Sequence, residues 1–303
     1  MVVRLALVIA VAVGNTGCRQ ILGFEDPADE PDAAPLGPWG VARRVDALSQ
    51  AGAGDLTPAL RSDGLEVYFA TTRADMIDDI WRSTRNTLSD TWSPPTAVSN
   101  LNLPSPSNEL VPKLSSDGLT MYLSRGGTTD FDIFVSTRSA VTALDWSTPA
   151  LVAALDSSNS NYPGNTDASE THMVFSSDRT AVNDVDMYEI TRDSASDAWS
   201  MSRIENVGGL LNLVGRNEYA GHLSADGKTL YFYSDRLSPP NYELYVTTRP
   251  SIDAAFEAPT LITELQTLAA ETHPTVSGDQ RYMMFARGSV SDVNTFELYE
   301  TSR

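Results

Sequence analysis

Four acids and an amide stand at equivalent places along this chain, Asp55, Glu109, Asn161, Glu218 and Glu271, and each is followed by an arginine, Arg73, Arg125, Arg179, Arg236 and Arg287. Two carboxylates flanking a glycosidic bond can hydrolyse it, at a separation of about 5 Å for retention or about 6.5–9.5 Å for inversion. Acids and arginines gathered at one end of a channel can instead hold a peptide terminus, a sugar or a cation, because convergent polar groups in a concave site are what recognition needs. Hydrolysis further requires two carboxyls in unlike environments, and positions related by a repeat tend to share one environment. A residue present in every copy also has a structural use, and here the arginines are expected to pair with acids that open a later strand, Asp132, Asp186 and Glu243. His172, His222 and His273 fall in different copies without metal-ligand spacing, so each reads as a polar strand residue. There is no GxSxG elbow and no phosphate-binding glycine loop. The expectation is therefore no catalytic residue, no cofactor and no metal, with the recurring acids, amide and arginines as the candidate ligand-binding channel end.

What must position these groups is a fivefold repeat. Thr-Arg or Ser-Arg recurs at Arg85, Arg138, Arg192, Arg249 and Arg303, and an aromatic recurs at Trp39, Trp92, Trp146, Trp199 and Phe256, both series at intervals of 53 to 57 residues. Each copy reads as four strands. The first ends in a Ser-Asp-Gly or Ala-Asp-Gly turn at residues 62–64, 116–118 and 225–227, a hairpin signal because glycine accepts a positive φ at little cost. The second alternates apolar residues, as in Leu65, Val67 and Phe69. The third opens on an acid followed by apolar residues, such as Asp79-Ile80-Trp81 or Glu243-Leu244-Tyr245, and the fourth starts at the aromatic. No 3.6-residue apolar period is present, and four strands per unit of roughly 50 residues is the arithmetic of a propeller blade.

The chain stops at Arg303, where a last aromatic strand is due, while Trp39 opens an orphan strand of that kind ahead of the first copy. Joining the two completes a fifth unit and leaves no open ladder. The predicted fold is thus all-β: a five-bladed β-propeller of four-stranded antiparallel blades over 39–303, closed by the N-terminal strand. The aromatic series is expected to pack one blade against the next rather than serve as a sugar platform.

Hydrophobic residues make up 41% of the chain, enough to bury a core, and the formal net charge is -19. Lys113 and Lys228 are the only lysines and no basic cluster follows the leader, which excludes nucleic acid as an expected partner. Met1–Arg4 is a short positive head and Leu5–Val13 a nine-residue apolar run, too short for a span of about 20 residues and suited to a signal peptide over 1–17. The single cysteine, Cys18, follows Gly17 directly and has no disulfide partner. Residues 18–38 are rich in proline, alanine and acid and read as a tether of up to about 3 Å per residue.

Thr16-Gly17-Cys18 resembles the bacterial lipoprotein box, in which the cysteine carries a diacylglycerol, although Asn15 stands where that family has an aliphatic residue. Arg19 in place of an inner-membrane retention aspartate implies the outer membrane. The blade pattern of proline, Ser-Asp-Gly, apolar strand, arginine, acid with aromatic, Thr-Arg and tryptophan is similar to the PD40 or WD40-like repeat of the TolB propeller superfamily. The resemblance covers roughly 39–303 and speaks to fold more than function. It departs in having five repeats where TolB has six blades, and a tether where TolB has an α/β domain, so the peptidoglycan-associated lipoprotein that partners TolB is not carried over as such. The expected function is a monomeric, non-catalytic lipoprotein of the cell envelope, periplasmic or surface-facing, that binds a protein or polysaccharide through its loop and channel face. The alternative is a carbohydrate-active propeller, a lectin or a glycoside hydrolase using the channel-end carboxylates, since five-bladed propellers also house such enzymes.

Overall fold

In the computed structural model residues 35–303 are described, apart from 75, 105, 128–129, 181–183 and 238. The expected leader over 1–17, the lipidation site Cys18 and the tether as far as residue 34 lie outside the described residues.

The repeats fold as five four-stranded antiparallel sheets. The first blade is β2 (Asp55–Leu60), β3 (Glu66–Thr71), β4 (Asp79–Thr84) and β5 (Thr96–Ala97); the second is β6 (Asn108–Leu114), β7 (Thr120–Gly126), β8 (Phe131–Thr137) and β9 (Ala150–Leu151). The third is β10 (Asn161–Tyr162), β11 (His172–Ser177), β12 (Asp186–Thr191) and β13 (Ile204–Asn206); the fourth is β14 (Glu218–Leu223), β15 (Thr229–Ser234), β16 (Glu243–Thr248) and β17 (Thr260–Leu261). The fifth takes β18 (Ala270–Val276), β19 (Tyr282–Ser289) and β20 (Asp292–Ser302) from the C-terminus and its outer strand β1 (Arg43–Arg44) from the N-terminus, in the order β1-β20-β19-β18. The predicted ring closure is present.

The turn residues act as their chemistry requires. Gly64, Gly118 and Gly227 take φ of 72°, 70° and 69° between first and second strands, and Asp63, Asp117 and Asp226 accept the amide two residues on. Glu170 and Gln280 fill the glycine position in the other two copies with φ of 54° and 57°. The fourth strands differ from expectation, because their ladders begin about four residues after the aromatic. In three copies a proline, Pro95, Pro149 or Pro259, stands just ahead of the ladder and has no N–H to contribute to it.

The repeated Thr-Arg and aromatic positions are one device. The guanidinium carbons of Arg85, Arg138, Arg192, Arg249 and Arg303 lie 4.3, 4.7, 4.2, 4.3 and 4.1 Å from the ring centres of Trp92, Trp146, Trp199, Phe256 and Trp39. Each arginine Nε–H also donates to a turn carbonyl of its own blade, at Gly64, Gly118, Glu170, Gly227 and Gln280. The aromatics reach the preceding blade, as expected: the indole N–H of Trp146 donates to Tyr68 at 3.2 Å, that of Trp199 to Tyr122 at 3.1 Å, and Trp39 meets Tyr231 edge-on at 6.4 Å. The core is accordingly five apolar clusters, each bridging two adjacent blades, one of which joins Val45 and Leu298 to Val67 and Phe69 and so seals the last blade to the first.

Candidate functional site

Asp55, Glu109, Asn161, Glu218 and Glu271 stand first or second in the innermost strand of their blade, and the five arginines stand within two residues of the end of the second strand, at the same end of the channel. All five acid and amide residues are buried, each 0% exposed, and none of them lines the pocket at the channel mouth. Arg73, Arg125, Arg179, Arg236 and Arg287 reach them at 2.5, 2.9, 3.0, 3.4 and 2.8 Å. The same guanidinium donates to the carbonyl of a buried leucine in the loop that enters the blade, Leu48, Leu101, Leu155, Leu211 or Leu265. The carboxylates of Asp55, Glu109, Glu218 and Glu271 in turn accept a backbone N–H of that loop, from Gln50, Leu103, Leu213 and Thr267. Acid, arginine and loop form a clasp that fixes where one blade hands the chain to the next.

The arginines thus have a structural partner, but not the expected one. Arg125 stands between Glu109 and Asp132 in the ladder register, and its ion pair is with Glu109. Asp132 is pushed up to about 6 by burial and by hydrogen bonding with the Asp156 carboxyl, and Glu243 to about 7 by burial and by the Glu271 carboxyl. Asp186 is also raised, by burial and by Asp184. Burial pushes Glu218 up to about 7 despite Arg236, so the repeat does not give every carboxylate one environment.

The channel mouth is built from the residues one step along. A strand turns successive side chains to opposite faces, so the positions after the acids, Leu56, Leu110, Tyr162, Tyr219 and Thr272, line the mouth. There they surround a pocket of about 350 Å³. A second ring comes from the residues just before each third-strand acid: Asp78, Phe131, Val185, Tyr242 and Phe296. Asp78 is the one charged member of that ring, and the pocket reaches it. In the fourth blade Tyr219 pairs across the ladder with Tyr233, where the other blades have Ala70, Ser124, Ser176 and Ala286. The rings of Tyr219 and Tyr233 stack at 4.9 Å and 8°, and Tyr242 meets both edge-on at 6.0 and 5.6 Å.

The inner strands bulge at this level. Thr57, Val111 and His273 have φ of 51°, 48° and 53°, each directly before a proline. Left-handed backbone at β-branched threonine and valine is strained, and strain of this kind collects where a chain must present a group. His273 Nε2 is 2.7 Å from the Tyr233 hydroxyl. The Nδ1 of His273, the hydroxyls of Thr57 and Thr272, and Oδ1 of Asp78 are buried with no hydrogen-bond partner. Burial, with the charge of Asp79 beside it, pushes the Asp78 carboxyl up to about 6.

No family profile matches the chain, and no curated protein does. Its fold is similar to solved structures. The α-L-arabinofuranosidase from Podospora anserina, solved in complex with cellotriose, is 12% identical, with TM-score 0.57 over 88% of this chain and 95% of that one. A family 117 glycoside hydrolase from Zobellia galactanivorans is 10% identical, with TM-score 0.55 over 88% and 90%. TolB from Acinetobacter baumannii is 16% identical, with TM-score 0.46 over 82% of this chain and 54% of that one, so the chain spans about half of that protein's length. At these identities what is shared is the fold.

Behind the mouth a polar crosslink spans the ring. Lys113 of the second blade, 2% exposed, donates from Nζ to the Gly221 carbonyl of the fourth at 2.6 Å. A Cβ on Gly221 would meet Pro274 at 2.5 Å, so only glycine lets the strands approach this closely. Burial pushes the Lys113 ammonium down to about 7, and burial together with Lys113 pushes His222 and His273 down to about 3. His172, in β11, stands away from this group at an outer groove with Glu189 and Phe256.

An amine with a depressed folded pKa binds fewer protons in the native state than in the unfolded one. Lys113 should therefore make the protein more stable as pH rises from about 7 towards its ordinary value of 10.5. Lys113→Met should raise stability at pH 6.5 by about 1–2 kcal/mol and flatten this rise. Urea unfolding at pH 6.5 and 9.5 measures both, and a destabilised variant with the slope intact would show that the crosslink matters more than the buried charge.

Proposed function

We propose that this chain is a non-catalytic binding module of the bacterial cell envelope, of the PD40-like, TolB-like propeller type, and that it takes its partner at the channel mouth. One observation carries this reading: the carboxylates that a hydrolase would need are locked in arginine clasps, and among the described residues the pocket beside them offers a single carboxylate, Asp78. Glycoside hydrolysis by two carboxyls has no pair to work with in that lining. The leader, Cys18 and the tether belong to the same proposal, as a lipid anchor that holds the propeller at the outer membrane within reach of an envelope protein or polysaccharide.

A detergent-solubilised envelope extract passed over the immobilised propeller tests it. A partner retained by the wild type and lost by a folded Tyr219→Ala variant is the expected result. Release of reducing sugar from arabinan or xylan, abolished by Asp78→Asn, would replace the binding reading with the carbohydrate-active one. Loss of function on Glu109→Gln, Glu218→Gln or Glu271→Gln would not favour hydrolysis, because those changes unfasten blades.

A further inference from the structure

Among the described residues, the mouth pocket holds acceptors and no charged base. Oδ1 of Asp78 has no hydrogen-bond partner, and neither do the hydroxyls of Thr57 and Thr272, each 3% exposed. The one basic side chain in the lining, His273, is kept neutral by burial and by the charge of Lys113, which is itself bonded to Gly221. An acid oxygen held away from water without a donor is costly unless a proton or a positive group meets it. The other four blades put an apolar or aromatic residue where Asp78 stands. Beside these acceptors lie Tyr162, Tyr219, Tyr233 and Tyr242; an aromatic ring attracts a cation at its face and offers an apolar body contact area.

We propose that the channel mouth binds a primary ammonium group carried on an aromatic or apolar body, with the ammonium held by Asp78, Thr57 and Thr272 and the body against the tyrosines. This names the chemistry recognised at the mouth and rests on the binding reading above. Three N–H donors of an ammonium match three unpartnered oxygens. An anion has no positive side chain to meet in the lining. A sugar would leave hydroxyls unpaired against Leu56, Leu110 and Val111. A pocket of about 350 Å³ suits one ring and its side arm rather than a polymer. Such an ammonium can be a free arylalkylamine or the N-terminus of a peptide that begins with an aromatic residue.

Calorimetry on the whole protein tests this with two matched pairs: 2-phenylethylammonium against 2-phenylethanol, and Phe-Ala amide against its N-acetyl form. The charged member of at least one pair should bind about tenfold or more tightly than its neutral twin. The pair that binds identifies the source. Asp78→Asn should erase that ratio while Tyr219→Ala weakens both members. If Asp78→Asn does not fold, Thr272→Val should still lower the ratio several-fold. Equal binding of charged and neutral twins would overturn the proposal and leave the mouth as an apolar site. No binding of any probe, alongside an envelope partner lost in Tyr219→Ala, would overturn it too while the binding module stands.

Discussion

Replacing Glu66 by glutamine should cost about 3–5 kcal/mol, seen as a fall in the urea midpoint with an unchanged slope. Glu66 opens the second strand of the first blade and is 0% exposed. Three arginines converge on it: Arg138 from the second blade at 2.7 Å, Arg82 from the neighbouring strand at 2.5 Å and Arg61 at 2.9 Å. Its Oε1 also accepts the Tyr68 hydroxyl at 3.0 Å, and the Trp146 indole N–H donates to that same hydroxyl. Burial alone would raise the carboxyl, but the hydrogen bonds of Arg138 and Arg82 outweigh it and hold it below the ordinary value. Glutamine keeps the shape and one acceptor, yet it removes the charge that permits Arg138, itself 0% exposed at its side chain, to remain in the interior. The sign with pH follows from the depressed value: this contribution is present above about pH 4.5 and is lost as pH falls through the folded value, so the difference between wild type and Glu66→Gln should shrink in acid. Asp63→Asn, on an exposed turn and bound to the same Arg61, should move the midpoint by under about 1 kcal/mol. A Glu66→Gln effect of that small size would mean that water or relaxation satisfies the arginines.

The repeat made the scaffold legible and hid the site, and both follow from the same physics. Residues that recur in every copy, such as Arg85 over Trp92 or Asp55 with Arg73, do so because each blade needs the same turn tie and the same clasp. Their recurrence predicted five blades and a last blade completed by the N-terminal strand, and both are present. Recurrence also drew attention to Glu109, Glu218 and Glu271 as channel groups, one residue away from the side chains that line it. A strand's period of two makes such a slip decisive, since neighbours face opposite ways. The bulges at Thr57, Val111 and His273 then break the alternation, so counting outward from the Asp-Gly turns could not restore it. What marks the mouth is departure from the repeat: Asp78 in an apolar ring, and Tyr233 where other blades keep alanine or serine. The partner expected for the arginines failed for a related reason. Arg125 has an acid on either side in the register, and only the loop carbonyl of Leu101, distant in sequence, decides which one it takes.

Removing the strand that closes the ring should have an effect as large as unfastening Glu66, with a different signature. Trp39 carries little backbone pairing of its own but is buried against Tyr231 of the fourth blade and beneath the Arg303 guanidinium. The segment after it is tied to the last strand by Gly40 N–H to Ser302 O at 2.8 Å, the Thr301 hydroxyl to Gly40 O at 2.8 Å and Val45 N–H to Leu298 O at 2.8 Å. Arg44 adds an ion pair to Glu297 at 2.8 Å. Trp39→Ala leaves that ladder in place and empties the pocket beneath it, so it should cost about 3–5 kcal/mol and leave a monomer. A chain starting at Val45 loses the ladder as well. It bares the outer edge of β20 over residues 298–302, which the segment from Gly40 covers in the intact ring, with Leu298 behind it. An unpaired edge of that length templates another chain, so the truncated protein should self-associate in sedimentation velocity at concentrations where Trp39→Ala does not. If the truncated chain stayed monomeric with its urea midpoint unmoved, the terminal strand would be an ornament of the ring. The buried tryptophan and the sealed cluster around Val45 and Leu298 argue that it is the latch.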